Sequence, residues 1–74
     1  MRYHISAKQL RIIGKKMRKI REERDVDQIV IAEDAGIDKS YYARLERGEA
    51  NPTLEVLYAV IKALHAKSSD ILPF

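Results

Sequence analysis

Residues able to do chemistry are sparse in these 74 positions, and most of them are donors. There is no cysteine, and the two histidines, His4 and His65, stand near opposite ends of the chain. No nucleophile is spaced to meet a base, and no residues show metal-ligand spacing, so neither an enzyme nor a metal or cofactor site is expected. Hydrogen-bond donation is what remains. From Lys39 to Arg47 the residues divide by helical phase. Tyr42 and Leu45 fall three apart on one side, with Tyr41 flanking them. Lys39, Ser40, Ala43 and Arg44 lie largely on the other, offering an ammonium, a hydroxyl and a guanidinium to acceptors on a partner. On a lone helix these would be ordinary solvated charges, so the surrounding elements decide their meaning.

That helix is the second of a close pair in QIVIAEDAGIDKSYYARLERG, Gln28 to Gly48. Ile31, Ala32 and Ala35 share one face of the first helix. Gly36 permits a positive φ that stops it, and Asp38 is a good N-cap for the next. Helices this short, joined by three residues, are expected to cross steeply as a helix-turn-helix. Upstream, Ser6 and Gln9 form a capping box and Ile5 with Leu10 a hydrophobic staple. Leu10, Ile13, Met17 and Ile20 then make an apolar stripe down a helix ending near Arg24. Gly14 costs about 1 kcal/mol relative to Ala inside a helix, so a neighbouring helix is expected close against it. Asp27 is expected to cap the helix that opens with Gln28, and Thr53 the fourth helix, striped by Leu54, Leu57, Ile61 and Leu64. Asp25 and His65 fall at the residue after a helix, where glycine is usual. Ser68 is expected to cap a short last helix before Pro73. The fold class is therefore all-α: five helices in one domain over 1–74, with an arm at 1–5 and a short C-terminal helix and tail at 66–74.

The ordered set Gln28, Ala32, Ala35-Gly36-Ile37, a cap at 38, Leu45-Glu46-Arg47-Gly48 and Asn51-Pro52-Thr53-Leu54 resembles the helix-turn-helix of phage repressors of the lambda-repressor and Cro type, over about residues 10 to 72. The resemblance, with the helical phase, implies that Lys39, Ser40, Ala43 and Arg44 meet base edges in the major groove of double-stranded DNA. Lys39 and Arg44 suit guanine O6 and N7, and Ala43 a thymine methyl. It implies phosphate contacts from Gln28 at a helix N-terminus and from Arg47 beyond the second helix. Tyr41 has two readings, a phosphate contact through its hydroxyl or packing over the start of the fourth helix. Tyr42, where relatives carry an aliphatic residue, is expected in the core with its hydroxyl needing a partner. Arg21 and Glu46 match an ion pair of the phage repressors. The sequence DKSY at 38–41 is similar to the start of that helix in controller proteins of restriction–modification systems.

Charge agrees in outline. The net charge is +3, but residues 1–24 carry nine Lys/Arg against Glu22 and Glu23, while 25–38 carry five acids and no base, which gives one anion-seeking side. No apolar run approaches membrane length, so a cytoplasmic protein, neither secreted nor embedded, is expected. The DNA-binding domain is expected to use up the chain, with no separate sensor. Apolar residues surplus to so small a core, namely Val56, Tyr58, Ile71, Leu72 and Phe74, are expected to form a homodimer contact. Ile29 and Val30 are apolar where relatives often carry charge. The function expected is a dimeric, sequence-specific regulator on a two-fold-symmetric operator. An antitoxin-type autorepressor with a protein partner and a protein-interaction module of the same fold are the alternatives. The arm Met1–Tyr3 is expected to be disordered, with Arg2 otherwise able to reach a phosphate.

Overall fold

The computed structural model describes residues 5–74, so the expectations for Met1–Tyr3 and Arg2 lie outside the described residues. All regular structure among the described residues is helical: α1 (Ala7–Glu23), α2 (Gln28–Ala35), α3 (Lys39–Glu46), α4 (Leu54–Ala63) and α5 (Ser68–Ile71). The Ser6–Gln9 capping box opens α1, with both reciprocal bonds made. Thr53 caps α4 through its hydroxyl. Asp27 departs from expectation: it holds the extended N-cap backbone of α2, but its carboxylate makes no capping bond. The expected Ser68 cap is also corrected. Ser68 is already the first residue of α5, Lys67 is the N-cap, and the Asp70 carboxylate accepts from the Lys67 N–H.

The first four helices end in the same way. A residue with positive φ follows the last turn, and two backbone N–H groups fold back onto carbonyls that have no helical partner, the arrangement of a Schellman motif. The positive-φ residues are Asp25, Gly36, Gly48 and His65. The return bonds run from Val26 to Arg21, Ile37 to Ala32, Glu49 to Arg44 and Ala66 to Ile61. At Asp25 the turn thus keeps the ordinary shape despite lacking glycine.

The core gathers Ile13 and Met17 of α1, Ile31 and Ala32 of α2, Tyr42 and Leu45 of α3, Val60, Ala63 and Leu64 around the end of α4, and Ile71 of α5. The α2 helix packs on α4 and α3, and α1 on α3 and α5. Gly14 lets α1 press against the last turn of α3. A Cβ there would stand 2.4 Å from the Glu46 carbonyl oxygen and 2.6 Å from that of Leu45. Gly48 repeats the device from the other side, since its Cβ would come 2.8 Å from the Arg11 Cα.

Two expectations about apolar residues change. Ile71 is 0% exposed and belongs to the core, so it is no dimer surface: α5 packs on α1 and turns that side chain inward. Leu54 is 82% exposed, so the buried side of α4 runs through Leu57, Val60, Ala63 and Leu64 instead. A residue in the first helical turn has few neighbours above it, and periodicity alone does not register that.

Candidate nucleic-acid interface

The α3 helix is fixed at its start by Asp38, whose carboxylate accepts from the Ser40 N–H at 2.8 Å and the Tyr41 N–H at 3.3 Å. Capping explains an acid next to a surface that seeks anions. Tyr42 and Leu45 are buried, which turns Lys39, Ser40 and Arg44 outward and exposed, with Ala43 half-buried among them. The four side chains chosen from helical phase thus stand together on one free face. Tyr41 is half-buried and packs against the core cluster.

A buried polar node fixes the other end of α3. Among the described residues Glu46 is the only charged one in the core, its side chain 3% exposed. One carboxylate oxygen accepts from Arg21 Nε at 2.6 Å, and the other from Arg21 Nη2 at 3.1 Å, a bidentate pair between α1 and α3. Arg21 Nη1 also donates to the Val26 carbonyl at 2.9 Å, which ties in the α1–α2 turn. Burial by itself would raise the Glu46 pKa, but the hydrogen bonds from Arg21 and Gln28, with the charge of Arg21, outweigh it and hold the carboxyl below its ordinary range. Hydrogen bonding to Glu46 in turn raises Arg21. Tyr42 sits in this node with its hydroxyl buried and without a hydrogen-bond partner. Burial pushes that phenol far above its ordinary value, and the nearby carboxylate adds to the effect. The partner expected at an edge for the Tyr42 hydroxyl is not found among the described residues.

Gln28 was missed as a member of this node. Its Nε2 donates to Glu46 Oε1 at 3.0 Å, so the side chain is held rather than solvated. The only sequence signal was the helix-start position, which says nothing about a partner eighteen residues on. Arg21, Asp27, Gln28, Ile29 and Lys39 line a shallow cleft where α1, α2 and α3 meet. Ile29 and Val30 are exposed on α2. Arg47 lies beyond α3, exposed, and Glu49 Oε1 accepts from its Nε at 3.0 Å. So exposed a pair is worth well under ~1 kcal/mol, and both terminal nitrogens of Arg47 stay available. Of the expected dimer residues, Tyr58 is 64% and Phe74 71% exposed, while Val56 and Leu72 are half-buried against the core. Among the described residues no helix is long and apolar enough to cross a membrane.

Known proteins share this architecture. The helix-turn-helix family pattern matches residues 17–72. The immunity repressor protein of Bacillus phage phi105 is 40% identical over 60 residues, which is 81% of this chain and 42% of that protein. The chain therefore spans less than half the length of that relative. An uncharacterized HTH-type transcriptional regulator of Sinorhizobium fredii, y4dJ, is 32% identical over 62 residues, 84% of this chain and 80% of its own. Among solved structures, the restriction–modification controller protein C.AhdI of Aeromonas hydrophila is similar with a TM-score of 0.81 at 27% identity, covering 85% of this chain and 96% of that one. The controller protein C.Esp1396I, as a tetramer in complex with its natural 35-base-pair operator, is similar with a TM-score of 0.76 at 26% identity, covering 82% and 80%. The five helices, the turn at Gly36 and these matches lead to one conclusion: the chain belongs to the helix-turn-helix family.

Proposed function

We propose that this chain is a sequence-specific DNA-binding transcriptional regulator that acts as a homodimer on a two-fold-symmetric operator. The observation that carries the reading is the outward face of α3, where Lys39, Ser40, Ala43 and Arg44 stand together while the opposite face is locked in the core. A major groove admits one α-helix, and Lys and Arg donate there to guanine O6 and N7, Arg bidentately. Gln28 and the free N–H groups opening α2 take a phosphate on one flank, Arg47 on the other, and Tyr41 contributes its hydroxyl. These contacts set the register, and α3 reads the sequence within it. The similarity to a phage immunity repressor and to restriction–modification controller proteins supports the same reading.

One eight-residue reading helix offers few base contacts, so two copies are required for a long site. The exposed Leu54, Tyr58 and Phe74, with Val56 and Leu72 beside them, supply the contact between copies, and the half-sites then lie about 34 Å apart. Selection of bound duplexes from a random pool tests the reading. A symmetric motif is expected from the unmodified protein, and Lys39→Ala/Arg44→Ala should lose the preference while keeping the fold. Recovery of no motif would overturn it in favour of a protein-interaction module.

A further inference from the structure

We propose that Glu46 is the positioning residue for Gln28: from inside the fold it fixes which edge of that amide faces the DNA backbone. The inference rests on the DNA-binding reading and adds a residue that can never touch DNA, since the Glu46 side chain is 3% exposed. An ionised carboxylate only accepts hydrogen bonds, so it can hold the Gln28 amide by its nitrogen and not by its oxygen. One orientation of the amide is therefore bound, with Nε2 turned inward at 3.0 Å. Its second N–H and its carbonyl oxygen are left for a partner, and Gln28 lines the cleft shared with Lys39. The carboxylate is itself immobile, gripped by Arg21 through two nitrogens while Arg21 holds Val26 with a third. A free glutamine would lose rotamer freedom on meeting a phosphate, whereas this one has lost it on folding. Glu46 also ends α3, so the flank that grips the backbone and the helix that reads bases are fastened at one point.

Two measurements test this. In a double-mutant cycle on the duplex selected above, Gln28→Ala and Glu46→Gln are each expected to weaken binding about tenfold, the range of a hydrogen bond to a charged group. The double variant should be no more than about twofold weaker than either single variant, because coupled residues are not additive. Losses that multiply to about a hundredfold would overturn the positioning role while leaving DNA binding intact. Absence of any salt-dependent duplex binding by the unmodified protein would instead overturn the reading beneath it. The second measurement uses the unmodified chain and does not depend on a variant folding. Gln9 and Gln28 are its only glutamines, and NMR of their side-chain amides should show Gln28 exchanging with solvent at least tenfold more slowly than Gln9. Equal exchange would show that Glu46 does not hold it.

Discussion

The outward faces of α3 and α4 are finished in different ways. The reading helix is fixed at both ends, by Asp38 at its start and by Arg21 and Gln28 on Glu46 at its close. Two glycines bring α1 and the chain after α3 into backbone contact there. What it shows outward is polar, stays hydrated, and gives up that water only to a partner rich in acceptors. The α4 helix shows Leu54 and Tyr58 instead, with Lys62 Nζ 5.8 Å from the Tyr58 ring centre and Phe74 exposed beyond the last helix. Apolar area left in water forgoes about 25 cal/mol per Å² until something covers it. Under the proposed function the α3 face is a surface for reading, rigid before its partner arrives, and the α4 face a surface for assembly, completed when a second copy meets it.

The comparison breaks first at Glu46. Glu46→Ala leaves the Arg21 guanidinium buried without its partner and is expected to cost about 3–5 kcal/mol, measurable by urea denaturation. An unchanged midpoint would mean that α3 is not held there. The pH dependence follows from the lowered Glu46 pKa. Its contribution is complete above the ordinary glutamate value of about 4.3 and is lost as pH falls through that value and then through the lower folded one. Glu46→Gln should therefore flatten the acid limb of a stability–pH curve.

Gly14→Ala comes next, at about 3 kcal/mol, because the added Cβ meets two backbone carbonyls that no side-chain rotation can relieve. Gly36→Ala is the control, with nothing within 4 Å and only its φ of +72° opposing it; about 1–2 kcal/mol is expected by thermal melting. Equal losses at the two sites would remove close packing as the reason for Gly14.

Asp25→Gly and His65→Gly should each raise stability by about 0.5–1 kcal/mol, since both residues sit at φ 56° where glycine avoids the Cβ penalty. Both lie in turns outside α3, so DNA affinity is expected to stay constant while the melting temperature rises. The smallest effect on the fold belongs to Leu54→Ser/Tyr58→Ser, within about 0.5 kcal/mol as for other surface changes. Under the proposed assembly, sedimentation should nevertheless show monomers. A dimer of undiminished strength would remove the α4 face from the interface.

Much of the frame was legible because local chemistry writes it. Ser6 with Gln9, Asp38 and Thr53 announce helix starts through side chains that reach only three residues, and the structure uses all of them. Gly14 announced a close neighbour through the cost of a glycine inside a helix. Legibility fails where the answer depends on what lies across the fold. Asp27 and Ser68 had the right chemistry for caps, yet α2 opens on backbone geometry alone and α5 opens one residue earlier. Ile71 looked surplus because a four-residue helix has no periodicity to read, and only its packing against α1 shows that it is core. The Gln28 link was invisible for the same reason: its partner is set by how α2 meets the end of α3. Helix ends are local statements, whereas the node at Glu46 depends on three helices together.

The α5 helix has a consequence for motion. It is one turn long, exposed along most of its length, and anchored by the single buried side chain of Ile71. Releasing it breaks few backbone bonds, so it should open locally at a small fraction of the free energy needed to unfold the whole chain. The amides of Ile71 and Leu72 should then exchange with deuterium long before those of Leu45 and Glu46, whose turn is pressed between Gly14 and the buried carboxylate node. Each such opening lifts the Ile71 side chain out of the core beside α1 and leaves the other four helices in place.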